Sequence, residues 1–173
     1  DERPLFGEDG IDGNYWIEFT SATVMDFKGV GGTNPTLALT HNHTIETGSW
    51  QHIFITRSSN TVTVYVNGLA GSGTGTWDPA FAPDAVGKIG TTKYFDGRIT
   101  QLAIWTRALT LSEIQSIYSQ GYLFSIITDA DGGVGVGLDQ NLLHYWKLNY
   151  NYNDSKGSNH LSSPNLHVNA TGI

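Results

Sequence analysis

Two apolar alternations joined by three small polar residues constrain this chain more than any other feature. His52, Phe54 and Thr56 fall on one side of the first run and Ile53 and Ile55 on the other, while Val62, Val64 and Val66 share one side of the second. A period of two is the mark of a strand with one buried face. The short link Ser58-Ser59-Asn60 predicts an antiparallel hairpin, and Asn67-Gly68 closes it, because Asn and Gly tolerate the positive φ of a tight turn.

The same alternation recurs upstream. Tyr15, Ile17 and Phe19 share a strand face, and apolar runs at Val24 to Phe27 and Leu37 to Leu39 flank the turn-rich stretch from Gly29 to Pro35. Residues 69 to 87 are rich in Gly, Thr and Pro and read as a loop carrying Trp77. Ile99 to Trp105 reads as a long apolar strand suited to the middle of a sheet. One helix is signalled: Thr110 caps it, Glu113 completes a capping box, Ile114, Ile117 and Tyr118 form an apolar stripe, and Gly121 ends it.

Composition narrows the class. A chain of 173 residues suits one well-buried domain. Twenty-one glycines, 12% aromatics and 14% charged residues fit a turn-rich all-β protein and argue against disorder. A net charge of −7 argues against a nucleic-acid partner, which needs a basic patch, and gives no support for docking on an anionic membrane. No apolar run approaches the roughly 20 residues that span a bilayer, so membrane insertion is not expected. Cysteine is absent, which removes disulfides, thiol nucleophiles and zinc–thiolate sites. That is ordinary for bacterial surface proteins and virus particles and unusual for secreted animal proteins. The start at Asp1, without Met or a signal peptide, predicts a processed or excised form.

Five elements occur in a telling order: Trp50-x-His52, Tyr65-Val66-Asn67-Gly68, Ile89-Gly90, Phe95-x-Gly97-x-Ile99 and Arg107-Ala108-Leu109-Thr110-x-x-Glu113-Ile114. This block resembles the laminin-G-like, concanavalin-A-like jelly-roll family, strongly over these segments and weakly over the strands before them. The resemblance implies an all-β, two-sheet antiparallel jelly-roll sandwich with one short helix, in a family whose members usually bind rather than catalyse. It fixes fold better than function, since one sandwich can carry many unrelated sites.

The C-terminal third departs from that pattern. The family opens with an apolar strand ending in a Tyr-Trp-x-Leu pattern and an Asp-Ser-x-Gly turn, yet here Tyr145-Trp146-Lys147-Leu148 and Asp154-Ser155-Lys156-Gly157 come last. Residues 1 to 14 carry no such strand. The expected organisation is a core at 1–124, a Gly/Asp-rich linker at 125–141 and a first-strand-like segment at 142–173. That segment either completes this sandwich, as in a circular permutation, or opens a following repeat, or is donated to a neighbouring subunit. An unpaired strand of this kind would invite aggregation, so pairing within the chain, or self-association through 142–148, is expected.

Candidate sites are few. Trp50, Trp105 and Trp146 lie in expected strands and read as core. Trp77 falls in the loop Thr76-Trp77-Asp78-Pro79, where a sugar could stack on the indole while Asp78 or Asp84 accepts hydroxyl hydrogen bonds; the competing reading is a Trp folded back to plug the sandwich. Asp129 and Asp131, with Asp139 nearby, resemble part of a calcium loop, against the reading of a solvated linker. His41-Asn42-His43 has chelating spacing but no third ligand, so it reads as surface polarity. Asn42, Asn153 and Asn169 begin glycosylation sequons, relevant only in a eukaryotic secretory pathway. For hydrolysis a glycosidase needs two carboxyl groups flanking the bond, but Glu18 stands alone on its strand and Asp26 lies across a turn. No Gly-x-Ser-x-Gly elbow occurs.

The sequence therefore predicts a non-catalytic module exposed outside a cell or on a virion surface. The leading expectation is a structural or decorating component of a phage-like particle, with other virion or surface-assembly subunits as partners. The alternative is a lectin-like domain of a bacterial surface or secreted protein that binds glycans or a receptor.

Overall fold

Tyr15, Ile17 and Phe19 stand opposite Gly29, Phe27 and Met25 across an antiparallel register, and this pairing forms the centre of the larger sheet. The computed structural model describes residues 3–8, 15–29, 37–41, 43–77, 79–89, 93–121, 126–127, 138–148 and 151–161. The chain divides into two units, Asp1–Arg98 and Ile99–Ile173.

In the first unit, strands β1 (Arg3–Gly7), β2 (Tyr15–Ser21), β3 (Val24–Gly29), β4 (Leu37–Thr40) and β8 (Ala85–Val86) form a five-stranded sheet in the order β4-β3-β2-β1-β8. Strands β5 (Ile53–Ser58), β6 (Thr61–Val66) and β7 (Leu69–Thr76) form a three-stranded antiparallel sheet, and β9 (Lys88–Ile89) pairs with β10 (Lys93–Tyr94). Ile17, Phe19, Met25, Phe27 and Leu39 from the first sheet pack with Val62, Val64 and Val66 from the second in one buried cluster. Each such side chain contributes on the order of 1.5–3 kcal/mol by leaving water. The expected two-sheet antiparallel sandwich is what this unit forms.

Two segments differ from expectation. The stretch 69–87, read as a loop, contains the eight-residue strand β7. Two of its three alternating glycines face close neighbours: a Cβ at Gly71 would lie 2.7 Å from the Thr40 carbonyl oxygen, and one at Gly75 would overlap the Leu37 side chain. Small residues at period two let β7 approach β4 closely, and the same smallness hides the strand from a hydrophobicity pattern. At the N-terminus, residues 1–14 lack the Tyr-Trp pattern but still provide β1, which pairs with both β2 and β8.

In the second unit, β11 (Leu102–Trp105) pairs antiparallel with β12 (Leu142–Trp146), setting Leu102 opposite Trp146 and Ile104 opposite His144. The strand expected from Ile99 is shorter because Gln101 turns the chain at φ 58°. Among the described residues β11 has β12 as its strand partner, so the 142–148 segment pairs inside its own chain. Ile126, Leu142 and Tyr145 form a small core with Ala103, Trp105 and Ile127 around them. Helix α1 (Leu111–Ser119) begins at Thr110, whose hydroxyl accepts the Glu113 N–H, while the Glu113 carboxylate accepts the Thr110 N–H at 2.7 Å. Ile114 is fully buried, whereas Tyr118, expected on the same stripe, is exposed. Most of the expected linker at 125–141 lies outside the described residues.

Candidate functional site

The stacking platform expected at Trp77 is not presented to solvent. Its side chain is 4% exposed and belongs to the main core, edge-on to Tyr15 at 5.4 Å and tilted against Phe27 at 6.0 Å. Its backbone N–H donates to the Asn60 carbonyl at 2.8 Å, so the residue directly after β7 plugs the sandwich. Asp78 lies outside the described residues, and Asp84 is exposed with its N–H on the Gly7 carbonyl at 3.0 Å. Of the calcium candidates, Asp129 and Asp131 lie outside the described residues, and Asp139 is an exposed turn residue whose carbonyl accepts the Leu142 N–H. Among the described residues no cluster of three or more His, Asp or Glu side chains could hold a metal.

Glu18 and Asp26 are direct cross-strand partners on β2 and β3, a pairing that linear reading of the sequence missed. Two carboxylates side by side could suit hydrolysis, but Lys28 closes the pair, with Nζ 2.5 Å from Glu18 Oε1 and 3.8 Å from Asp26 Oδ2. Glu18 is wholly buried, so no scissile bond can reach between the two groups.

The Asp154 turn in the second unit is a structural clasp. Asp154 Oδ1 accepts the backbone N–H groups of Tyr145, Lys156 and Gly157, and Oδ2 contacts His144 Nδ1 at 2.6 Å. Burial pushes this carboxyl up, but those donors outweigh it and hold it well below the usual carboxylate range. A Cβ at Gly157 would sit 2.6 Å from Asp154 Oδ2, which is why the turn needs glycine there. Asn153, the described sequon, is exposed beside it.

The remaining constellation lies at one end of the β5–β6 hairpin. Asn67 and Gly68 turn the chain into β7 at φ 51° and 75°. The Asn67 side chain is the hub: Oδ1 accepts the His52 N–H at 2.9 Å, and Nδ2 donates to Gln51 Oε1 at 2.8 Å and to His43 Nε2 at 2.9 Å. His41 Nδ1 donates to the His43 carbonyl at 2.6 Å, and its backbone N–H donates to the Thr23 carbonyl. These bonds fix His43, Gln51 and His52 on either side of Trp50. That indole, expected in the core, lies outside any strand and is 46% exposed. Leu69, on the far side of the turn, is also exposed.

Sequence reading missed this assembly because it treated Asn67 only as a turn former and the histidines as surface polarity. His41 is in fact buried, edge-on to Phe19 at 5.9 Å. Burial lowers its pKa, the bond to the His43 carbonyl opposes that shift, and the charge of His43 adds to it. Burial likewise lowers the pKa of His52. The signal was available in the hairpin: the register pairing Ile53 with Val66, continued by one residue, sets His52 opposite Asn67. The exposed indole, one residue before the fixed Gln51, offers a flat apolar face to solvent.

No curated protein matches the chain. It is similar to a crystal structure of an S-layer domain-containing protein from Clostridium thermocellum, with 20% identity over 68% of this chain and a TM-score of 0.36. The chain spans 63% of that structure's length, and the likeness is too remote to bear on fold or site. A laminin G family model, described as the concanavalin A-like lectin/glucanases superfamily, matches residues 1–115, a span that takes in both sandwich sheets and the Trp50 segment. On that match, and on the sandwich it covers, the chain belongs to the concanavalin A-like lectin/glucanases superfamily.

Proposed function

We propose that the chain is a non-catalytic carbohydrate-binding module that works outside the cell and takes a neutral glycan at the Trp50 patch. The observation that carries this reading is the half-exposed Trp50, which directly precedes Gln51 and His52, the two residues that the Asn67 amide fixes. An indole supplies the flat apolar surface on which a pyranose ring stacks. The net charge of −7 disfavours polyanionic sugars and leaves neutral ones. The closed Glu18–Lys28–Asp26 group supports binding without hydrolysis.

Surface assembly, on a virus particle or a bacterial surface, is the second reading. Exposed Leu111, Tyr118 and Leu143 in the second unit favour it. Affinity electrophoresis through gels containing neutral glucan, mannan or xylan, alongside a polyuronate gel, separates the two. Retardation by at least one neutral polymer and none by the polyuronate is expected. Free migration in every gel, together with concentration-dependent self-association in sedimentation, would favour assembly instead.

A further inference from the structure

The Trp50 segment is fixed by imidazoles that can do so only while neutral. Asn67 Nδ2 is a donor, because Oδ1 of the same amide accepts the His52 N–H, so His43 Nε2 must offer a lone pair. An imidazolium at His43 would set N–H against N–H and break that contact. The His41 Nδ1–H is already committed to the His43 carbonyl, so a further proton must go to Nε2, which is buried without a hydrogen-bond partner. Both events act at His41 and His43, upstream of Trp50 on the same segment.

The described groups facing His41 offer no countercharge. Phe19 of β2 lies edge-on to His41, Gly71 of β7 backs its Cα, and the Thr23 carbonyl is occupied by the His41 N–H. Phe54 of β5 lies 6.1 Å from the His52 ring. The charge that acts on His41 is that of His43, which repels, and Glu46 on the same segment is exposed.

We propose that the Trp50 patch is acid-released: it stands assembled while the buried His41 ring is neutral and comes apart when that ring takes up a proton. The proposal rests on the reading of this patch as a glycan site and adds its regulation. The direction of the effect follows from the buried ring. A histidine whose folded pKa lies below its ordinary 6.5 is bound to protons more weakly in the folded state, so the assembled form is complete above that value and is lost progressively as pH falls below it.

The test uses the full chain without ligand first. The difference in tryptophan fluorescence between wild type and Trp50→Phe, with acrylamide as quencher, is followed from about pH 7.5 to about pH 5, with circular dichroism reporting the fold. Trp50 is expected to change its quenching in a transition below neutrality while the sheet signal holds. That transition should vanish in a His41→Gln, His43→Gln double variant. Should the double variant fold poorly, titration of the histidine ring protons by NMR in the wild type replaces it, and His41 must then report the same transition. Affinity for the neutral polysaccharide that retards the chain most should fall at least roughly tenfold over the same range. A flat Trp50 profile, or a transition unchanged in the double variant, overturns acid release even if sugar binding is found. Absence of sugar binding at neutral pH overturns the glycan reading, and with it a glycan as the released ligand.

Discussion

Asn67 and His52 exchange two hydrogen bonds: the Asn67 side-chain oxygen accepts the His52 N–H at 2.9 Å, and the Asn67 N–H donates to the His52 carbonyl at 2.8 Å. The pair ties the β6–β7 turn to the segment that carries the exposed Trp50. Asn67→Ala should therefore leave the His52 N–H and the Gln51 amide unpaired, costing on the order of 1–3 kcal/mol. Asn67→Gly, which relieves only the positive φ at this position, should recover little of that loss. Urea melts of the two variants check this, and full recovery by glycine would show that φ, not the amide, sets the cost.

Trp77 answers to the core. Trp77→Ala removes a ring packed on Tyr15 and Phe27 and should cost about 3–5 kcal/mol. Denaturant unfolding measures it, and a cost near zero would mean that the indole does not fill the sandwich.

The glycines of β7 should not be interchangeable. Gly71→Ala places a methyl 2.7 Å from the rigid Thr40 carbonyl and should cost about 1–3 kcal/mol. Gly73→Ala meets nothing closer than 3.7 Å and should change stability by less than about 0.5 kcal/mol. Equal melting temperatures for the two variants would contradict the close approach of β7 to β4.

The helix gives an acid-limb prediction. Arg107 grips the Glu113 carboxylate through both guanidinium nitrogens, at 2.7 and 2.9 Å, and with the Thr110 N–H brings its pKa from 4.5 down to about 2. A depressed carboxylate stabilises the fold above its ordinary value and loses that contribution as pH falls from 4.5 toward about 2. Glu113→Gln should flatten this part of the stability–pH curve. Ile114→Ala, at a fully buried position, should cost roughly 2–5 kcal/mol, against on the order of 1 kcal/mol for the cap variant Thr110→Ala.

Local chemistry made part of this legible. The β5–β6 hairpin, strands β2 and β3 and the Thr110 capping box each follow from signals within a few residues. What failed depends on distant partners. Trp77 looks like a loop residue until Tyr15 and Phe27, far away in sequence, close over it. Strand β7 carries too little side chain to show alternation, because its glycines answer to β4. Glu18 and Asp26 were seen singly, although the register of a hairpin makes them neighbours. Trp50 reads as core because the strand pattern is expected to include it, whereas the sheet begins only at Ile53.

Titration calorimetry of wild type and Trp50→Ala against the neutral polysaccharide that retards the chain is the most direct test of the central claim. With Trp50 half-exposed, the alanine variant should keep its melting temperature and lose at least roughly tenfold in affinity. Unchanged affinity in a fully folded Trp50→Ala protein would contradict the assignment of this patch as the binding site.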